Sequence, residues 1–459
     1  MTTHYDAIVI GGGQAGPALA DRLGRAGHKT ALVVRHLLGG TRVHVGCIPT
    51  TTLVGSARIA HYARDAARFG VEIGAPVTVD MAQVKARKDE VAGESNANVE
   101  AWVGGMENVT LIRGHARFTG KHSIDVAGHE LTADRFFINV GARARVPDMP
   151  GLELVDYLTN SSMMDVDFLP EHLVIVGGSY IGIEFAQMYR RFGAEVTIVE
   201  MQDRLIGRED PDVSDAVLEI LAGEGINVRL GAECLGFTEG PGKVRMTIAC
   251  DEDDDPIDGS HVLLAVGRVP NTHDLGLEHT EVETDDRGYI PVDDQLRTSA
   301  EGIWALGEVN ARGAFTHTSY NDFEIVAANL LDDDPRRVTD RITCYGLYTD
   351  PPLGRVGMTE REVRESGRKA LVATRPMARV GRAREFGDTR GFMKALVDAE
   401  TQEILGASIL GMSGDEVVHT LLDVMYAKQP YTIVSRAVHI HPTVAELLPT
   451  LLQDLKPLE

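Results

Sequence analysis

Asp6-Ala7-Ile8-Val9-Ile10-Gly11-Gly12-Gly13-Gln14-Ala15-Gly16 stands near the start of the chain. Asp6 to Ile10 read as a buried strand, and the glycines after it keep the G-x-G-x-x-G spacing. A helix is expected from about Gln14 to Arg25, stopped at Gly27, and His28 to Val34 reads as the next strand. Strand, glycine turn, helix and strand in this order form a dinucleotide-binding unit of the Rossmann type. Gly11, Gly13 and Gly16 permit the tight turn and let a pyrophosphate approach the helix N-terminus, where free amides and the helix dipole favour an anion.

The same pattern recurs. His172 to Val176 is a strand, Gly177-Gly178-Ser179-Tyr180-Ile181-Gly182 the turn, and a helix runs to about Phe192. Gly193 ends it, and Glu195 to Val199 is the following strand, closed by Glu200. An acid at this place, about 20 residues past the glycines, accepts hydrogen bonds from ribose hydroxyls. Glu200 fits the 2′-hydroxyl of NADH and repels the 2′-phosphate of NADPH, although Arg204 and Arg208 downstream soften that preference. Counted from Gly11 as Glu200 is from Gly177, the first unit's acid position is Val34. Valine cannot accept a hydrogen bond, which means either a tolerated loss or a weakened ligand.

Between the units lies Gly39-Gly40-Thr41-Arg42-Val43-His44-Val45-Gly46-Cys47-Ile48-Pro49-Thr50-Thr51. It resembles the redox-active segment of the flavin-dependent disulfide reductases, the family of glutathione reductase, dihydrolipoamide dehydrogenase and mercuric reductase. That family carries Gly-Gly-Thr-Cys-x4-Cys-x-Pro-x-Lys. Arg42 stands at the first cysteine, Cys47 at the second and Thr51 at the lysine. The resemblance implies FAD in the first unit, on Gly11, Gly13, Gly16, Gly40, Thr41 and Gly46. It implies NAD(P)H in the second, on Gly177, Gly182, Glu184, Glu200 and Gly267. In the family the first cysteine attacks the substrate disulfide and the second lies against the flavin as a thiolate. Arg42 cannot exchange disulfides, so a reversible disulfide within this segment is excluded. The family's lysine pairs with a glutamate matched by Glu184, which Thr51 leaves without that partner, a costly state if buried. Cys47 opens a helix expected from Pro49 through Ala57 and Ala60, and a helix N-terminus lowers a thiol pKa. Arg42 beside it makes either an anion site or nothing, with Cys47 an inert buried thiol.

Further matches cover the rest of the chain. Ser56 to Ala101 reads as helical, Met81 to Trp102 as one long helix, and Val109 to Phe118 and Ser123 to Leu131 as strands. Arg135 to Arg143, with Val140 and Gly141, resembles the exit from the FAD domain, where the family has threonine at Val140. Ala265 to Asn271, with Gly267, resembles the exit from the nicotinamide domain. Gly302 to Glu308 resembles the second FAD motif, in which an aspartate contacts the ribityl chain. Glu308 keeps the acceptor and moves it by about 1.5 Å, one carbon–carbon bond. Val34, Arg42, Thr51, Val140 and Glu308 thus all depart from the family at one ligand.

At the C-terminal end, Cys344 to Met358 and Phe392 to Ile409 read as strands, the first broken by the turn Asp350-Pro351-Pro352-Leu353-Gly354. Asp415 to Ala427 reads as an amphipathic helix with Val417, Val418, Leu421, Leu422 and Met425 on one face. These resemble the family's interface domain and imply a homodimer. His439-Ile440-His441-Pro442-Thr443-Val444-Ala445-Glu446 is similar to the dihydrolipoamide dehydrogenase segment whose histidine is the acid–base of the partner's active site. His441 and Glu446 match it, and a carboxylate that orients an imidazole suits proton transfer. The cysteine pair that ends mercuric reductases has no counterpart in Asp454 to Glu459.

At 459 residues the chain has room for about three domains. An α/β fold is expected: two Rossmann-like domains for FAD and NAD(P), plus a C-terminal α+β dimerisation domain. The boundaries fall at 1–150 and 271–335 for the FAD domain, 151–270 for the NAD(P) domain and 336–459 for the interface domain. The net charge of −23 argues against nucleic acid or an anionic membrane as partner. The acidic runs Asp251 to Asp255 and Asp332 to Asp334 precede prolines and read as solvated turns. The start, Met1 to Tyr5, lacks a signal-peptide pattern, so a cytoplasmic chain is expected. Cys47, Cys234, Cys250 and Cys344 are too far apart for a local redox pair or zinc spacing, and no metal site is expected. The candidate catalytic residues are Cys47, Arg42, His441 and Glu446. The first functional reading is an FAD-dependent NADH oxidoreductase passing electrons to a small acceptor without dithiol chemistry, supported by the intact nicotinamide unit. The second is a thiol enzyme using Cys47 with His441 and Glu446. The third is a degenerate, non-catalytic dimer.

Overall fold

The computed structural model describes residues 2–233, 235–240, 242–248 and 255–459. Cys234, Cys250 and the acidic run from Asp251 to Asp254 lie outside them. The chain opens with β1 (Thr3–Ile10), α1 (Ala15–Arg25), β2 (Thr30–Val34), α2 (Gly40–His44), α3 (Cys47–Asp65) and α4 (Met81–Gly104). β3 (Val109–Arg113), β4 (Ala116–Gly120), β5 (Ser123–Val126) and β6 (His129–Ile138) follow. They form one sheet in the order β3-β2-β1-β6-β5-β4. β1 is its pivot, parallel to β2 on one side and β6 on the other. Ile8 and Ile10 enter a core with Phe118 and Phe136, whereas Ala7 and Val9 pack on Leu19 and Leu23 of α1. Burial on both faces is what makes this strand an apolar run rather than an alternating one. The crevice where neighbouring strands diverge from β1 is the place such sheets bind ligands.

The second unit repeats this plan. β7 (Ala142–Ala144), β8 (Tyr157–Thr159), β9 (His172–Val176), α5 (Tyr180–Phe192), β10 (Glu195–Val199), α6 (Pro211–Gly223) and β11 (Asn227–Arg229) come first. A small antiparallel sheet of β12 (Leu235–Thr238), β13 (Val244–Ile248) and β14 (Ile257–Gly259) precedes β15 (His261–Leu264) and β16 (Arg268–Pro270). The main sheet is all parallel, β11-β10-β9-β15-β8, pivoting on β9. β7 and β16, the outgoing and returning crossovers, pair antiparallel, so Gly141 and Gly267 close opposite ends of this short ladder, accepting the N–H of Asn271 and of Arg145 respectively. β17 (Ile303–Ala305) then adds to β6 in parallel, and α7 (Thr316–Leu331) packs on α1.

β18 (Cys344–Leu347), β19 (Leu353–Gly357), β20 (Ala370–Pro376), β21 (Phe392–Asp398), β22 (Ile404–Leu410) and β23 (Lys456–Pro457) make an antiparallel sheet, β18-β19-β22-β21-β20-β23. Short helices, including Gly414–Val417 and His419–Tyr426, cover it.

Several expected elements are corrected. The helical reading of Ser56 to Ala101 breaks at residues 70–80, where Gly70 turns left-handed at φ 77° and Pro76 forbids a helix interior. Val109 to Phe118 is two strands, because Gly114, at φ 153°, ends β3. Ser123 to Leu131 is likewise cut by the turn at Ala127 and Gly128. The helix over Asp415 to Ala427 is interrupted at Val418. β20 was not expected.

Candidate active site and dinucleotide sites

The two glycine turns superimpose in their contacts. A Cβ on Gly16 would overlap the Gly11 carbonyl, and one on Gly182 the Gly177 carbonyl. A Cβ on Gly12 would meet Val34 Cγ1 at 2.9 Å, and one on Gly178 would meet Glu200 Cβ at 3.1 Å. Residues 34 and 200 therefore occupy the same place against their turns. The Glu200 carboxylate accepts the N–H of Gly178 at 2.6 Å and that of Gln202 at 2.9 Å, so it faces the turn. Arg204 pairs with Asp215 instead of turning to Glu200. Val34 is buried and offers only methyls.

The residues present fit the adenosine and pyrophosphate half of FAD. A cavity of about 150 Å³ opens at the ends of β1 and β2, lined by Gly11, Gly12, Val34, Arg35, Gly40 and Asp274 among others. Gly40 lies against Gly13, where a Cβ would come 2.8 Å from the Gly13 Cα. The first turn of α1 holds no acid. Asn139, which no sequence pattern marks, accepts the Gly16 N–H at 2.9 Å and donates to the Leu306 carbonyl at 2.8 Å, tying this turn to β17's end. Glu308 is not the free acceptor the sequence implies. Arg268 Nε donates to it at 2.8 Å, and both side chains are largely buried. Arg268 sits 40 positions away on β16, so no local pattern could announce the pair.

Arg42 lies on α2, half-buried, and donates to the Gln14 side chain at 3.3 Å. Cys47 is the first residue of α3 and is exposed, which corrects the alternative of a buried thiol. Its sulfur lies 3.0 Å from the hydroxyl of Thr316, at the start of α7. Cys47 and Cys344 are both free thiols. Thr51 turns back to the Cys47 carbonyl at 2.8 Å. Glu184, on α5 against α3, accepts one backbone N–H, from Tyr348, at 2.9 Å. Among the described residues no cation pairs with it, and burial pushes its pKa up to about 7.

Beside Cys47 lies a cluster invisible to sequence reading. Phe315 stacks on His317 and on Tyr345, and Tyr180, the first residue of α5, packs edge-on to Phe315 and Tyr345. Tyr345 donates to buried Glu209 at 2.6 Å. His317 Nε2 lies 2.7 Å from the Cys344 carbonyl, and burial lowers the His317 pKa and raises that of the Cys344 thiol. The cluster joins three distant segments at the mouth of the second glycine turn, an apolar, flat-sided wall suited to a planar ring.

His441 Nδ1 lies 2.7 Å from Glu446 Oε2. The imidazole is 79% exposed, and the carboxylate is its only hydrogen-bond partner among the described residues. Val438 and Ile440 beside it are 100% and 80% exposed, apolar surface of the kind interfaces cover. Within one chain the dyad makes no hydrogen bond to Cys47. No helix among the described residues is long and apolar enough to cross a membrane.

The sequence of folds and turns defines a class. Residues 5–322 match the model for pyridine nucleotide-disulphide oxidoreductases, and residues 343–452 match that family's dimerisation domain. The chain belongs to this family and is an FAD-dependent NAD(P)H oxidoreductase. It is 36% identical to the probable pyridine nucleotide-disulfide oxidoreductase RclA of Escherichia coli (strain K12), over 98% of this chain and 99% of that protein. It is 32% identical to a mercuric reductase of Staphylococcus aureus, over 90% of this chain and 76% of that one. It is also 32% identical to the dihydrolipoyl dehydrogenase of Haloferax volcanii, over 97% and 95%. Among solved structures, the Cu(II) complex of the HOCl-induced flavoprotein disulfide reductase RclA from Escherichia coli matches with TM-score 0.89 and 35% identity, covering 98% of this chain and 99% of that one.

Proposed function

We propose that this chain is a homodimeric oxidoreductase that takes hydride from NADH and passes electrons to a small acceptor, without a redox-active dithiol. The observation that carries this reading is Arg42 at the place of the family's first cysteine, with Cys47 next to a threonine hydroxyl instead of a second sulfur. FAD, when bound, accepts the hydride and hands electrons on singly or in pairs. Gly11, Gly13, Gly16, Gly40, Thr41, Gly46, Gly141 and Glu308 would hold it. Gly177, Gly182, Glu184, Glu200 and Gly267 would hold the nicotinamide cofactor. The carboxylate of Glu200, turned toward Gly178, supports NADH over NADPH. The aromatic wall of Tyr180, Phe315 and Tyr345 excludes water and limits the acceptor to something small. Quinones, dyes and oxygen are of this kind, and so is the Cu(II) ion in the RclA complex. The cytoplasm, where NADH is available, is the compartment this reading requires.

A second reading is favoured by the His441–Glu446 distance. It is a thiol enzyme in which Cys47 of one subunit works with the dyad of the other. Cys47→Ser separates the two. Under the first reading, NADH-dependent quinone reduction stays within about threefold of wild type. Its abolition, with FAD still bound, would overturn that reading in favour of the second.

A further inference from the structure

Val34 removes the carboxylate that should meet the adenosine ribose, yet the cavity beside it is not without an acid. Asp274, on the loop after β16, lines the same cavity as Val34 and Gly12. Its Oδ2 accepts from Arg35 Nη1 at 2.7 Å, and its main-chain carbonyl lies 2.9 Å from His115 Nε2. Its Oδ1 is shielded from solvent and has no hydrogen-bond partner among the described residues. His273 Nδ1 lies 3.9 Å from Oδ1 and His115 Nε2 3.6 Å from Oδ2, both beyond hydrogen bonding. An acceptor atom left bare in this way costs stability unless something donates to it. Burial would raise the Asp274 pKa, but the hydrogen bond and charge of Arg35 outweigh it and hold the carboxyl below its usual range. The carboxylate is thus fixed on Oδ2 and buried without a partner on Oδ1.

We propose that Asp274 is the ribose-binding acid of the first dinucleotide site, its Oδ1 accepting a hydroxyl of the FAD adenosine in place of the missing acid at position 34. Arg35 and His115 position it. The recognition has moved from the end of β2 to a loop that arrives some 240 residues later in the chain. The proposal rests on the family's use of FAD and is independent of which acceptor the enzyme reduces.

The test compares FAD with FMN, which lacks the adenosine half, on protein stripped of flavin. Binding is read by flavin fluorescence. Asp274→Asn is expected to weaken FAD roughly tenfold or more, the loss of a hydrogen bond to a charged group, and to leave FMN unchanged. Val34→Glu in the Asp274→Asn background is expected to recover FAD affinity, because it returns an acid to the usual place. Unchanged FAD affinity in Asp274→Asn would overturn the proposal. So would an equal loss for FAD and FMN, which would make Asp274 a structural residue. If the variant does not fold, wild-type protein decides the matter with FAD built on dideoxyadenosine, which lacks both ribose hydroxyls. Weaker binding than FAD by roughly tenfold supports the assignment, and equal binding overturns it.

Discussion

Asp350→Ala is expected to destabilise the protein by about 3–5 kcal/mol, the cost of stripping one partner from a buried ion pair. Asp350 comes from the turn between β18 and β19, in the C-terminal sheet. It meets Arg191 of α5 at 2.5 Å and Arg58 of α3 at 2.9 Å. Arg191 is 4% exposed and also binds Glu224 at 2.7 Å, which Arg390 reaches at 2.9 Å. Gln187 brackets the Asp350 backbone, donating to its carbonyl at 3.0 Å and accepting its N–H at 2.8 Å. Burial would raise the Asp350 pKa, but Arg191 outweighs it and holds the carboxyl below its ordinary value. A carboxylate with a depressed pKa contributes stability above its unfolded pKa and loses it as pH falls through the folded one. The gap between wild type and variant, read as melting temperature of the holoprotein, should therefore be wide at pH 7 and close toward strongly acidic pH. A variant that melts with wild type at pH 7 would refute this account of the junction.

Glu184→Gln should do the opposite and stabilise the protein at alkaline pH. The side chain is half-buried with no cation beside it among the described residues, and desolvation pushes its pKa up to about 7 from a reference of 4.5. Below 4.5 it is protonated in both folded and unfolded chains and costs nothing. As pH rises from there toward 7, the unfolded chain ionises and the folded one resists, so stability declines. Above 7 the full penalty of about 3 kcal/mol is in place. Glutamine, neutral throughout, removes it. Melts at pH 5 and pH 8 check this: little change at the first, a clear gain at the second. An equal gain at both would mean that something other than ionisation is responsible. Thr51 gives Glu184 neither charge nor hydrogen bond, because it is neutral and its hydroxyl is spent on the Cys47 carbonyl of its own helix.

Local order carried much of the fold into the sequence. Both glycine turns are legible because strand, turn and helix are contiguous. The equivalence of Val34 and Glu200 follows from equal spacing alone, and the contacts of Gly12 and Gly178 agree with it. His441 and Glu446 are close enough in sequence to be paired by eye. What was missed is held together by residues far apart. Arg268 meets Glu308, Thr316 meets Cys47, and Asp274 meets Arg35, each through the return of the chain to the first domain. The aromatic wall has the same origin, since Tyr180 begins α5, Phe315 precedes α7 and Tyr345 lies in β18. Helix breaks at Gly70 and the strand break at Gly114 were hidden by runs of good helix or strand formers around them. Glycine's positive φ, not the propensity of its neighbours, decides those points.

The central claim is that this enzyme passes electrons from NADH through flavin with no dithiol to store them. Anaerobic titration of the FAD-loaded protein with NADH, followed by visible absorption, tests it most directly. The account predicts that the flavin band bleaches fully at about one NADH per FAD, since no second pair of electrons has a place to go. No bleaching, or bleaching complete only at about two NADH per FAD, would contradict it, the second outcome revealing a redox-active sulfur pair.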